Sequence, residues 1–302
     1  MDLSIIILNY NTRELLSQCL HSIYNSLFTI SPKGEVRQRR HDSEIIVVDN
    51  GSTDGSIEEV KSLRLKVKGD NLKIIVNKEN LGFAKGNNIG IKEAKGKYIL
   101  LLNSDTVVEK ETLPVMVKFM EENSRVGVAT CRVELSAGRL DPACHRGFPS
   151  PWASLTYFSG LEKLFPKSKL FGQYHQTNKD LNTIHEIDSP TGAFYLVRRE
   201  VVDKVGILDE DFFMYGEDLD WSYRIKKAGW QIMYVPDVKI THFKKQSGRQ
   251  NISSDERRKA TDYFYQTMKL FYQKHYQNKY PFFVNWLMIW GINLKWRLAN
   301  LP

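Results

Sequence analysis

Cysteine is scarce in this sequence. Cys19, Cys131 and Cys144 are the three in 302 residues, an odd number without CxxC spacing. That excludes a disulfide framework and a cysteine zinc site, and suits a reducing, cytoplasmic setting. Long apolar runs are also missing. The best candidate, residues 281–294, is interrupted by Asn285 and Asn293 and falls short of the ~20 residues that span a bilayer. No basic stretch with a long apolar segment behind it precedes the first strand-like run, so no secretory leader is expected. Internal repeats, low-complexity tracts and a Walker A or dinucleotide fingerprint are absent as well. Acid is in deficit: 35 Asp and Glu against 43 Lys and Arg leave a net charge of +8. Such a surplus favours nucleotides, diphosphates, nucleic acid or an acidic membrane surface, but no nucleic-acid-binding motif accompanies it, so nucleic acid is not an expected partner.

What is present reads as a globular α/β chain, long enough for one large domain or a core with an appendage. Leu3 to Leu8, Glu44 to Val48, Lys73 to Val76 and Tyr98 to Leu102 are buried-strand runs. Leu15, Leu16, Cys19, Leu20, Ile23 and Leu27 have helical spacing within 12–28, and Phe83 to Ala94 is a second helix. Thr53 or Asp54 is suited to cap the helix after 51–55. Continuous Val/Ile/Leu strands separated by helices indicate a mostly parallel sheet covered on both faces. In such sheets ligands sit beyond the carboxyl ends of the strands, where Asn9, Asn11, Asp49, Asn50, Asn103 and Asp105 fall. Residues 135–184, with Pro142, Pro149, Pro151 and Pro166, read as an extended segment with short helices, a candidate acceptor-facing lid. A broken strand over 186–198, a helix from Gly216 to Gly229, two short strands at 231–235 and 238–241, and a long helix over 254–276 complete the pattern.

Three groups of residues carry candidate chemistry. Expelling a diphosphate requires neutralising its charge, and Mg²⁺ or Mn²⁺ does so through oxygen ligands. In Asn103-Ser104-Asp105 the carboxylate can ligate the ion, while the Asn103 amide can bond a ribose or a bound water; a plain strand-end turn is the competing reading. Gly216 to Trp221 sets Glu217, Asp218 and Asp220 at a helix start, where the macrodipole favours acids whatever their role. Functionally, Asp218 is a candidate general base kept charged by that dipole, and Glu217 would orient an acceptor. His242, at a strand end, can ligate a metal, although lone histidines are commonly structural. Lys244, Lys245 and Arg249 could close over a diphosphate, though such basic runs are usually solvated. The Gly/Asn-rich stretch 80–88 could turn backbone amides toward a nucleotide.

In order and together, these segments resemble glycosyltransferase family 2, inverting enzymes of GT-A fold. The matching stretches are IIILNYN (5–11), VVDNGSTDGS (47–56), NLGFAKGNNIG (80–90), LLNSDT (101–106), SPTGAFYLVRRE (189–200), FFMYGEDLDWSYRIKKAGW (212–230) and THFKKQSG (241–248). The subgroup most similar is that of bacterial rhamnosyltransferase-like enzymes of cell-wall and surface-polysaccharide assembly; Arg146 to Ser150 shares its pattern.

The resemblance implies a catalytic GT-A domain over 1–250 and a helical, aromatic and basic extension over 251–302. It implies nucleotide-sugar contacts from Leu8, Asn9, Asn11, Asp49, Asn50, Gly82, Phe83, Asn88, Asn103 and Ser104. Asp105 and His242 would hold a divalent cation, Mg²⁺ or Mn²⁺. Asp218 would be the base, assisted by Glu217, and Gly192, Arg146 and Trp221 would face the acceptor. Asn103 replaces the first acid of a full DxD, which puts the metal's identity in question. The implied donor is dTDP-L-rhamnose, with UDP-hexoses and GDP-mannose as alternatives, and the acceptor a saccharide or polyprenyl-diphosphate-linked saccharide. The aromatics and lysines after residue 254 suit either peripheral contact with the cell membrane's inner face or packing against the core or a second subunit. A sugar-phosphate nucleotidyltransferase would need a glycine-rich basic loop after the first strand, where Asn9 to Arg13 stand instead. A non-catalytic nucleotide-sugar-binding module would not need the acids at 105 and 218.

Overall fold

The computed structural model describes residues 1–30, 36–38, 42–66, 71–244 and 254–300. The basic residues Arg39, Arg40, Lys245 and Arg249 lie outside that set. In chain order the first half is β1 (Leu3–Asn9), α1 (Arg13–Leu27), β2 (Phe28–Ile30), β3 (Val36–Gln38), β4 (Ser43–Asp49), α2 (Ser56–Lys66), β5 (Leu72–Val76), α3 (Phe83–Glu93), β6 (Tyr98–Asn103), β7 (Thr106–Val108) and α4 (Thr112–Glu122). The second half is β8 (Val126–Leu135), α5 (Pro151–Phe158), α6 (Leu161–Leu164), β9 (His185–Glu186), β10 (Phe194–Arg198), α7 (Arg199–Val205), α8 (Glu217–Lys227), β11 (Gln231–His242), α9 (Ser254–His275) and α10 (Phe282–Ala299).

One mixed sheet organises these elements, in the order β5-β4-β1-β6-β10-β8-β11-β7, with β9 on β11. The half with the continuous apolar runs is parallel, Ile5 facing both Ile45 and Leu100. Those strands are buried because α1 and α3 cover the sheet; Leu16, Cys19, Leu20 and Ile23 form the inner stripe of α1. Asp54 holds the starts of two helices, accepting from the Arg13 amide at 2.9 Å and the Ser56 amide at 3.0 Å. Beyond β6 the direction changes. β10 runs antiparallel to both β6 and β8, while β11 is parallel to β8. The two short strands read at 231–241 are one strand, β11, whose register shifts between Val235 and Lys239. Pro236 sits in that shift because it has no N–H to donate to a ladder.

Behind β10, Tyr195 stacks on Trp221 at 5.1 Å, and the indole donates to the Gly206 carbonyl at 2.8 Å. The middle segment is packed down rather than standing open. His145 Nε2 and His185 Nε2 lie 2.6 Å apart, and His145 Nδ1 meets the His175 carbonyl at 3.0 Å. The His145 ring meets Tyr234 of β11 edge-on. A separate apolar cluster of Phe212, Leu219, Phe271, Tyr272 and Tyr276 fastens α9 to α8. Among the described residues no helix is long and apolar enough to cross a membrane.

Burial, aided by the charges of His185 and Lys179, pushes His145 down from 6.5 to about 4. The unfolded chain therefore takes up a proton near pH 6.5 that the folded chain refuses until about pH 4. The His145 contribution to stability is expected to be constant above pH 6.5 and to be lost as pH drops toward 4, by up to roughly 3 kcal/mol. His145→Gln should flatten that slope in melting curves recorded across the range.

Candidate active site

β6 ends at Asn103, and the turn after it carries Ser104 and Asp105. β11 ends at His242, two strands beyond β10 in the sheet. β7 pairs antiparallel with the end of β11, Thr106 opposite His242, and this pairing brings the two ends together. His242 Nε2 lies 3.2 Å from Asp105 Oδ1 and 3.4 Å from the Asn103 amide nitrogen. The other ring nitrogen, Nδ1, lies 3.2 Å from Asp141 Oδ2. Burial alone would lower the His242 pKa, but hydrogen bonds to Asp105 and Asp141 outweigh it and raise the value to about 9. Asp141 is wholly buried, which opposes its charge; His242 and Lys244 overcome that and hold it at about 2.

The second cluster lies at the start of α8. Arg146 Nη2 donates to Asp218 Oδ2 at 2.7 Å and to the Pro190 carbonyl at 2.8 Å. Asp218 Oδ2 also accepts from the Gly192 amide at 3.3 Å, and Oδ1 from the Leu219 amide at 2.7 Å. Three donors thus occupy a carboxylate with about four lone-pair sites, leaving room for one more hydroxyl. Glu217 beside it is buried, and its Oε2 has no hydrogen-bond partner. Desolvation, then the Asp218 charge, pushes its pKa far above the carboxylate range.

Two adjacent residues join the clusters. The Gly192 amide donates to Asp218, and the Ala193 carbonyl accepts from the Asn103 amide at 3.3 Å. A candidate cation-binding pair and a candidate base therefore share one end of the sheet.

The two acidic or imidazole donors Asp105 and His242 fit a divalent cation as a partial ligand set. Asp141 fixes the imidazole as such partners do in metal sites, and a flipped Asn103 amide would offer an oxygen. Among the described residues no cluster of three His, Cys, Asp or Glu converges, so phosphate and water would complete the shell.

Residues 4–206 match the family model described as glycosyl transferase family 2. The chain belongs to glycosyltransferase family 2. It is 28% identical over 251 residues to a poly(ribitol-phosphate) beta-glucosyltransferase of Bacillus spizizenii, covering 78% of this chain and 34% of that protein. It therefore spans about a third of that relative's length. The rhamnosyltransferase WbbL of Escherichia coli is 29% identical over 171 residues, 54% of this chain and 61% of WbbL. In structure it is similar to the mannosyltransferase PcManGT of Pyrobaculum calidifontis, described in complex with GDP-Man and Mn²⁺. The TM-score is 0.61 and the identity 18%, covering 99% of this chain and 70% of that one. The fold is accordingly GT-A, with C-terminal helices added.

Against this family 2 framework several residues singled out from the sequence take different parts. Trp221 is fully buried against Tyr195, so it belongs to the core and cannot touch an acceptor. Arg146 turns inward to Asp218 rather than outward. Asn88 is buried, donating to the Leu208 carbonyl and Glu210 and accepting from the Leu208 amide, so it clamps α3 to the 208–210 loop. What approaches Gly192 closely is the Phe83 ring, which a Cβ there would meet at 2.9 Å. Gly82 has φ +83°, and a Cβ would lie 2.5 Å from the Phe213 carbonyl, so it too is fixed by packing. Asn9 and Asp49 are buried and bond to each other and to Ser52, while Thr12 links Asn9 to Ser104. Asn50 engages Asn77, Asn80 and the Gly82 carbonyl. Asn9, Asp49 and Asn50 thus shape the strand-end turns from beneath. Leu8 packs on the core, and Asn11 is the part-exposed member, accepting from the Thr53 amide. Asp141 escaped notice in the sequence because Asp-Pro reads as a turn start, and its partner His242 is 101 residues away.

Removing one member of the inward ion pair leaves a charge without its partner. Arg146→Met is expected to destabilise the fold by about 3–5 kcal/mol. Arg146→Met combined with Asp218→Asn should regain much of it, as measured by urea unfolding of the four proteins in a double-mutant cycle.

Proposed function

We propose that the chain is an inverting, divalent-cation-dependent glycosyltransferase that moves a sugar from a nucleotide donor to a hydroxyl of a saccharide or lipid-linked saccharide. The observation that supports it most is the Gly192–Ala193 junction, one residue bonded to Asp218 and the next to Asn103. In this reading the nucleotide lies over the turns at Leu8–Asn11 and Ser52–Thr53, with the exposed Tyr10 ring available to stack on the base. Asp105 and His242 would hold the cation, which when bound would neutralise charge developing on the diphosphate. Asp218 accepts the proton of the acceptor hydroxyl, whose oxygen attacks the anomeric carbon from the face opposite the nucleotide, so configuration inverts. Arg146 pairs with Asp218 and fixes its rotamer. Glu217, neutral through burial, stands beside Asp218 to orient the acceptor, its Oε2 buried and without a hydrogen-bond partner. Residues 1–250 form the catalytic unit of this reading and 251–302 its helical extension.

L-Rhamnose from dTDP-L-rhamnose is our first choice of donor, supported by the WbbL similarity and the Arg146–Ser150 pattern. The second is a UDP-hexose, favoured by the glucosyltransferase relative, which matches more of this chain. A thermal-shift panel of dTDP-, UDP- and GDP-sugars with Mn²⁺ separates them. Stabilisation by dTDP-rhamnose above the others is expected, and a clear preference for UDP-sugars would replace it. Asp218→Asn should retain donor binding while transfer falls about 10²–10⁴-fold; wild-type turnover in that variant would rule out the assigned base.

A further inference from the structure

The largest unexplained feature is α10. From Phe282 to Ala299 it carries no acid and has apolar residues on every side, yet Ile292 is its one buried residue. Phe282 is 84% exposed, Trp286 63% and Trp290 52%, and the two indoles stack on each other. A helix that is apolar all round is normally covered.

A second exposed apolar patch adjoins it. Leu155 and Phe158 of α5, Leu164 of α6 (70% exposed), and Phe165 and Leu170 beyond it all face outward. One contact links the patches directly, and both adjoin one apolar cluster. The Lys295 ammonium sits 4.4 Å over the Phe158 ring. Phe148, just ahead of α5, packs in the cluster that takes in Met288 and Ile289 of α10. Between α9 and α10 a groove of about 400 Å³, walled by Trp286, Ile289 and Trp290 and rimmed by Gln273, Gln277 and Asn293, lies on this helix too.

Charge decides what covers the surface. Residues 151–172 and 282–299 hold Lys163, Lys167, Lys169, Lys295 and Arg297 against one acid, Glu162. That acid is buried and bonded to His175. A second copy docking by two-fold symmetry would set this positive surface against itself. A negatively charged bilayer would not: Trp and Phe suit the headgroup boundary, and lysines reach phosphates while their stems lie on apolar surface.

We propose that α10 and the 151–172 segment together form one interfacial surface that binds an anionic lipid bilayer without crossing it. The proposal is independent of the sugar-transfer reading, because it concerns binding alone. The test is co-sedimentation of the full chain with phosphatidylcholine vesicles, with and without phosphatidylglycerol. Binding should require phosphatidylglycerol, weaken with added salt and shift tryptophan emission to the blue. Trp286→Ala/Trp290→Ala and, separately, Leu164→Ser/Leu170→Ser should each weaken partition about tenfold or more. All four side chains are exposed, so melting temperatures should stay unchanged. Equal binding to both vesicle types, or no effect of the Leu164/Leu170 variant, would overturn the composite surface. A concentration-dependent dimer in gel filtration that the tryptophan variant abolishes, with no vesicle binding, would overturn the bilayer as its occupant.

Discussion

Between β6 and β10 the sheet changes direction, and the site depends on what happens at that seam. β10 enters antiparallel beside β6, so its first residues meet the last residues of β6. A parallel strand there would have brought its own carboxyl end to Asn103 and carried Gly192 and Ala193 to the far edge. Instead the chain approaching β10 passes over the strand ends, accepting one hydrogen bond from the Asn103 backbone amide and giving one to Asp218. Phe83 from α3 closes on Gly192 from another side, which leaves no space for a side chain at that crossing.

Buried charge is the cost of this arrangement, and one short segment answers both halves of it. Asp141 faces His242, and Arg146, five positions on, faces Asp218. Unpaired, any of these groups would lose several kcal/mol of solvation. Together they fix an imidazole and a carboxylate in single orientations, as a preorganised site requires. The segment is held in turn by His145, the residue beside Arg146, through its contacts with His185 and the His175 carbonyl.

The parallel half of the fold was legible from β1, β4 and β6 because strands buried on both faces must be apolar without alternation. Asp105, Asp218 and His242 stood out as strand-end or helix-start polar residues, and the structure brings Asp105 and His242 into contact. Trp221 shows the limit of that reading. Sitting three residues after Asp218, it looks like part of the same constellation, but its ring is buried on Tyr195 and its indole N–H is taken by the Gly206 carbonyl. Arg146 shows a different limit: sequence gives a cation in a proline-rich segment but not the carboxylate, Asp218, that it meets. Asp141 left no signal, since nothing in a turn-forming Asp-Pro pair anticipates an imidazole from another strand.

The C-terminal helices show that an extension can be part of the site's support. α9 reaches α8 through Phe271 and Tyr272 against Phe212 and Leu219, and through His275 Nε2, 2.7 Å from Asp220. Leu219 and Asp220 directly follow Asp218. Thr267 bonds the Met214 carbonyl at 3.2 Å, and Tyr263 stacks on Phe213, so α9 also fixes the loop leading into α8. The loop needs that support because Tyr215 and Gly216 both have left-handed φ, at +70° and +77°, a conformation that a non-glycine residue holds only when its surroundings impose it. α9 is thus fixed to the residues around Asp218 on its inner side, while α10 beyond it leaves its aromatics uncovered. Any partner that engages α10 would bear on α9, and through α9 on the turn that orients Asp218.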